Sequence, residues 1–341
     1  MAADQFVLGR RGFLLASTGI LLSACTPRPA GTGGGPASNA PTAEATPTTR
    51  ATPATGTTST PTPAPTSTPL PAATAWTADP RDVRPQVKLA ATRFVEALGT
   101  WGPGQSGPDA ARARIRGLGQ DPALVAAAGT VVSGADASVL QVIDAQYGGI
   151  LATAASVLVV TRTWSRSATG AITADGATYD VRLVQGSPTW RVTEIHPSDP
   201  GPAVAPSSLA REVLTSDRID LPPASRADVA SGQVHDSVLE ALLALAGTYR
   251  IGVSVVRSGH PTYVFGTSRL SDHPRGRAFD TWRIDGHPVV AGSTPQSLVT
   301  SYMRDVATAG SYNIGGPYAL SGSGFFTDDT HHDHVHAGFA S

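Results

Sequence analysis

Residues 271–284 read SDHPRGRAFDTWRI, and the stretch has two halves of different character. Pro274, Arg275 and Gly276 make a tight turn, and from Arg277 the run RAFDTWRI suits a strand. His273 stands before the turn and Asp280 after it, so a turn leading into a strand can bring both side chains to one point. A second stretch, HHDHVHAGF at 331–339, supplies a partner. Its segment DHVHAGF is another strand candidate, and alternation puts His334 and His336 on one face. Of the nine histidines, none precedes His196 and eight fall at or after His235. Histidine chemistry therefore belongs to the last third of the chain.

Together these segments give a donor set of His273, Asp280 and a histidine of the last strand, with no thiolate. Three protein ligands leave one zinc position open for water, which is the catalytic arrangement. A structural zinc is closed by four ligands, usually including cysteine. The only cysteine, Cys25, lies far from this region.

Outward from this core, residues 205–341 read as one α+β domain. SVLEALLALAGT (237–248) is a helix capped by Asp236 or Ser237, and RIGVSVV is a buried strand. A further helix starts at Ser293-Thr294-Pro295 and presents Leu298, Val299, Tyr302, Met303 and Val306 before Gly310 ends it. Residues 78–199 form a second α+β domain: a helix over Val87–Leu98, a short helix at DPALVAAAG, then strands in ATAASVLVVTRTWSR and on either side of Gly186-Ser187-Pro188. Helices first and a curved sheet afterwards resembles the small cone-shaped domains of the nuclear-transport-factor-like group. With no clustered acid, histidine or cysteine, this domain is expected to be accessory. PGPAVAP (200–206) reads as the linker between the two.

The N-terminus reads as an address. Arg10-Arg11-Gly12-Phe13-Leu14 is a twin-arginine pattern, followed by an apolar run too short to span a bilayer comfortably. It ends in Leu22-Ser23-Ala24-Cys25, which resembles the bacterial lipobox. That resemblance implies a signal peptide over 1–24, a lipid anchor on Cys25, and a place on the outer face of the cell membrane. Residues 25–77 are mostly Thr, Pro, Ala, Ser and Gly, a composition expected to be disordered. At roughly 3.1 Å per residue, such a tether reaches on the order of 150 Å. A net charge of −1 gives no electrostatic case for nucleic acid. Oligomeric state is not legible.

Ser271-x-His273-x-x-Gly276-x-Ala278-x-Asp280 resembles, position for position, the S-x-H-x-x-G-x-A-x-D signature of zinc D-Ala-D-Ala carboxypeptidases and L-Ala-D-Glu endopeptidases. These share a fold, built on a central antiparallel sheet, with lysostaphin-type peptidases and the hedgehog domain, and His334-Val335-His336 matches its closing H-x-H. The resemblance implies Zn2+ held by His273, Asp280 and His336, a water made nucleophilic by the metal, and substrates among peptidoglycan peptides. Carboxypeptidases of the family use a glutamate three residues before the last ligand; this chain has Asp333 there, as the endopeptidase branch does. Strict alternation turns Asp333 away from the face of His336, so Asp333 needs a bend to act as base; His334 is the rival, already on that face. Arg257 is the oxyanion candidate, although its order, Arg-Ser-Gly-His, departs from the family's Ser-Gly-Tyr-Arg. His260 is left between pocket and solvent, and His331, His332, His235 and His287 are assigned to solvent. The alternative to a peptidase is a zinc-containing lipoprotein that binds wall peptide or protein without turnover; a metal-scavenging lipoprotein is a third reading.

Overall fold

A computed structural model describes residues 68–290, 292 and 294–341. The expected signal peptide, Cys25 and most of the segment 25–77 expected to be a tether lie outside the described residues. The described end of the tether, 68–77, has no regular structure but is held on the body: the Thr74 N–H donates to Gln141 Oε1 (2.8 Å) and the Trp76 N–H to Glu96 Oε1 (2.9 Å).

Helix α1 (Pro85–Gly99) opens on a proline whose missing N–H costs nothing at that position. Its stripe of Val87, Ala91, Phe94, Val95 and Leu98 has helical spacing and is fully buried. Helix α2 (Gly107–Gly117) follows, and DPALVAAAG forms a 3-10 turn, Pro122–Ala127, rather than an α-helix. Strands β1 (Ala137–Ile150), β2 (Ala154–Arg166), β3 (Ile172–Asp175), β4 (Thr178–Val184) and β5 (Arg191–Pro197) make an antiparallel sheet in the order β1-β2-β4-β5, with β3 on β2. α1 covers one face. The segment Ala155–Val160 is buried at every residue because β2 is covered on both sides. Val157 and Val159 join the core under α1, while Leu158 and Val160 pack with Val255 of the C-terminal part.

That part contains α3 (Ser208–Thr215), β6 (Ile219–Asp220), α4 (Pro223–Ala230), α5 (Asp236–Ala246), β7 (Ile251–Val253), β8 (Ala278–Ile284), β9 (His287–Pro288), α6 (Gln296–Thr308), β10 (Asn313–Gly315), β11 (Phe325–Phe326) and β12 (Val335–Gly338). The sheet order is β11-β10-β12-β8-β7-β6, with β9 on β8. Its centre is antiparallel, but β10–β11 and β6–β7 pair in parallel, so the sheet is mixed rather than antiparallel throughout. Helix α5 has His235 at its N-cap and no side-chain cap, so neither Asp236 nor Ser237 caps it. Val299, Tyr302, Met303 and Val306 of α6 are buried, as their spacing predicts.

The two sheets belong to one compact unit. Their join is close at Gly149, where a Cβ would lie 2.1 Å from the Cβ of Phe265. Among the described residues, no helix is long and apolar enough to cross a membrane.

Candidate metal centre

The register of the last two central strands sets the site. In the β8–β12 pair His336 lies opposite Asp280, so the two side chains share a face as cross-strand neighbours. His273 arrives from a 3-10 turn, His273–Arg275, closed by Gly276 at φ 69°. A Cβ on Gly276 would lie 2.0 Å from the carbonyl oxygen of Gln233. The motif's glycine is thus required both for its left-handed backbone and for room. Ser271 Oγ accepts the His273 N–H at 3.4 Å, and Ala278 is fully buried where β8 begins.

Three donor atoms converge. His273 Nε2 lies 3.1 Å from Asp280 Oδ1 and 3.1 Å from His336 Nδ1, and His336 Nδ1 lies 3.0 Å from Asp280 Oδ1. A tetrahedral zinc with bonds of about 2.0–2.1 Å sets its donors about 3.3 Å apart. The other nitrogen of His273, Nδ1, lies 2.8 Å from the Val256 carbonyl and can only donate to it, so in the neutral ring Nε2 is a bare lone pair. That lone pair faces a carboxylate oxygen and a second imidazole nitrogen with all three residues buried. With the rings neutral, three acceptors converge and a cation among them satisfies all three, so these residues fit a metal ion. The Nδ1–carbonyl contact is also the usual outer-shell anchor of a ligating histidine.

Electrostatics agree with that geometry. Burial lowers His336 to about 4, keeping the ring neutral, as a metal ligand must be. Burial alone would raise the Asp280 carboxyl, but positive charge at His273 and His334 outweighs it and holds Asp280 well below the ordinary carboxylate range; a cation among the three donors acts in the same sense with His273 neutral. His260 lines the same cavity, its ring stacked on His273 with centroids 4.2 Å apart and planes 15° apart. Its donor atom also falls within reach of those of His273 and Asp280, and its Nδ1 faces the Pro261 carbonyl at 3.0 Å, so His260 is a further candidate ligand of the same centre.

Asp333 and His334 are separated by the alternation of the strand approach. Asp333 does turn away. Its Oδ2 lies 2.7 Å from Lys88 Nζ and accepts the Tyr147 N–H at 3.3 Å, while its Oδ1 accepts from His334 Nδ1 at 2.5 Å. His334 lines the cavity beside the ligands, with Nε2 3.9 Å from Asp280 Oδ1. Lys88, the only lysine of the chain, is buried in α1 and also pairs with Asp82. Burial alone would lower this ammonium, but Asp333 and Asp82 outweigh burial and raise it. Burial works against the Asp333 carboxylate too, and Lys88 and His334 hold it ionised. Asp82, His332 and Asp333 form a second carboxylate–histidine group, and the Lys88 ammonium already serves it as cation.

The structure does not bring Arg257 to the site. Its guanidinium donates to the Pro200 carbonyl at 2.7 Å and lies 3.8 Å from Asp228, on the linker side. Among the described residues that line the cavity, the arginine is Arg269. The reading of His331 and His332 as solvated residues is corrected as well. His331 is half-buried beside His334 and His336, at centroid distances of 5.1 and 5.6 Å. His332 Nε2 accepts the Val83 N–H at 2.9 Å, at the join between the two sheets. His287 is exposed, and His235 is only half-buried against Arg277.

The cavity beside the donors measures about 600 Å³, and one wall is the end of β1, Tyr147–Ile150, with Leu151 after it. Sequence reasoning missed this contribution, together with Lys88 and Gln146, because no motif marks them. No family model, curated protein or solved structure matches the chain.

Proposed function

We propose that this chain is a zinc-dependent peptidase of the D-Ala-D-Ala carboxypeptidase and L-Ala-D-Glu endopeptidase type, anchored outside the cell membrane through Cys25 and acting on peptidoglycan stem peptides. The observation that carries this reading is the convergence of His273 Nε2, Asp280 Oδ1 and His336 Nδ1 within 3.1 Å of one another at the wall of an open cavity. A zinc ion held by these three residues supplies Lewis-acid polarisation of a carbonyl and acidification of water. The fold identity, the wall peptide and the location rest on the ten-residue motif and on the N-terminal signal.

The chain's own groups supply the proton transfer. Burial would lower His334, but Asp280 and Asp333 outweigh it and raise its basicity; in its neutral form His334 takes the proton of the attacking water at Nε2 and returns it to the leaving amine when the amide C–N bond breaks. Asp333 is a positioning residue: it holds the Nδ1–H of His334, which fixes the tautomer and leaves Nε2 facing the cavity. Lys88 keeps the Asp333 carboxylate ionised and in place. This assigns the base to His334, whereas the sequence favours Asp333. Arg269 takes over from Arg257 as the cation that meets the substrate's carbonyl or carboxylate.

Digestion of muropeptides by the full zinc-loaded chain, read by mass spectrometry, tests the proposal. The wild type should add one water across an amide bond. His334→Gln should keep zinc and lose about 10²–10⁴ of the rate. Cleavage that survives His334→Gln and disappears in Asp333→Asn would return the base to Asp333. Bound zinc and bound peptide without cleavage by the wild type would leave the binding protein as the correct reading.

A further inference from the structure

We infer that Gln146, in the middle of β1, is a positioning residue of the metal centre, so that the first sheet is a working part of a site whose three donors all come from the C-terminal part. The inference rests on the metal reading proposed above and extends it to a residue that neither the motif nor the sequence pattern marks.

Gln146 is 1% exposed. Its Nε2 donates to Asp280 Oδ2 at 2.5 Å, the carboxylate oxygen that faces away from His273 and His336. Its Oε1 accepts from the hydroxyl of Ser254, which follows β7. Ser254 is tied to Asp280 in turn, its N–H donating to the Asp280 carbonyl at 3.0 Å. A carboxylate is free to rotate and present either oxygen, or both, to a cation. A buried donor on Oδ2 removes that freedom and leaves Oδ1 alone for the ion.

An amide suits the position because it carries a donor at one end and an acceptor at the other. The Ser254 hydroxyl determines which end meets Asp280. Glutamate would set two carboxylates against each other, and leucine would leave Oδ2 buried without a donor. β1 is also shaped for the task. Irregularities at Val142/Asp144 and Tyr147/Gly149 flank Gln146 and Tyr147, and such bulges re-aim the side chains near them. These two consecutive residues reach Asp280 and Asp333 respectively.

The test is zinc affinity of the full chain, measured by competition with a chromogenic chelator, with far-UV circular dichroism to establish folding. Hydrogen-bond partners of ligating carboxylates are typically worth about 10–100-fold in metal affinity. Gln146→Leu should weaken zinc by that factor, and Ser254→Ala should weaken it less. The double variant should be little weaker than Gln146→Leu, because the Ser254 hydroxyl acts mainly through Gln146 and its own contact with the Asp280 carbonyl is long, at 3.3 Å. A purely structural Gln146 would lower stability while leaving the affinity of the folded protein unchanged. Affinity within about twofold of wild type in folded Gln146→Leu overturns the inference. If that variant does not fold, unchanged affinity in Ser254→Ala overturns it. A wild type that binds no zinc overturns the metal reading and this inference together; zinc binding that both variants leave intact overturns this inference alone.

Discussion

At the scale of the residue, each group near the site is set by whether its partners satisfy it. His273, Asp280 and His336 point their donor atoms at one place, which a cation can fill. Asp333 is the opposite case, with Lys88, His334 and the Tyr147 N–H filling both its oxygens. Asp144 stands between these extremes. Its Oδ2 is buried without a hydrogen-bond partner, and burial raises the carboxyl to about 7. A carboxyl whose folded value exceeds the unfolded value of about 3.9 costs stability as pH rises between the two, because the folded state holds its proton longer. Replacing Asp144 by Asn removes that cost. Relative to wild type, Asp144→Asn should gain on the order of 2–3 kcal/mol in unfolding free energy on going from pH 5 to pH 8. Urea unfolding at the two pH values reads this directly. An equal difference between variant and wild type at both would contradict it.

At the scale of the element, the site is a register and a turn. Cross-strand pairing of His336 with Asp280 brings two donors together, and the 3-10 turn ending at Gly276 delivers the third. Gly276→Ala should destabilise the protein by about 2 kcal/mol or more through its left-handed backbone and the collision with the Gln233 carbonyl, and should weaken zinc as His273 shifts. A denaturant midpoint and a zinc titration of the same variant check both effects; a loss below about 0.5 kcal/mol would contradict the role given to the turn. These elements were legible in the sequence because RAFDTWRI and DHVHAGF carry alternation and the turn carries Pro and Gly. β1 was not legible. Its fourteen residues include Gln141, Asp144, Gln146 and the pair Gly148-Gly149, and its two irregularities shift the phase of the alternation. Its polar residues look out of place until their partners are known: Gln146 meets Asp280, and Asp144 faces the cleft that holds Lys88.

At the scale of the whole molecule, two sheets that read as separate domains share one site. The helix-then-strand order and the core stripe of α1 follow from local periodicity, but the join does not. Lys88 reaches Asp333 across 245 positions and Gln146 reaches Asp280 across 134, and no local pattern encodes such pairings. The same holds for the base. Alternation placed His334 on the ligand face, yet the partner that occupies Asp333 lies on a distant helix. The central claim is that His273, Asp280 and His336 hold one metal ion in the C-terminal sheet. Metal analysis of the full chain after purification and exhaustive dialysis against zinc-free buffer tests it most directly. The account predicts about one zinc per chain, lost in His336→Ala and in Asp280→Ala but retained in His334→Gln. A wild type without zinc, or zinc retained in full by His336→Ala, would contradict it.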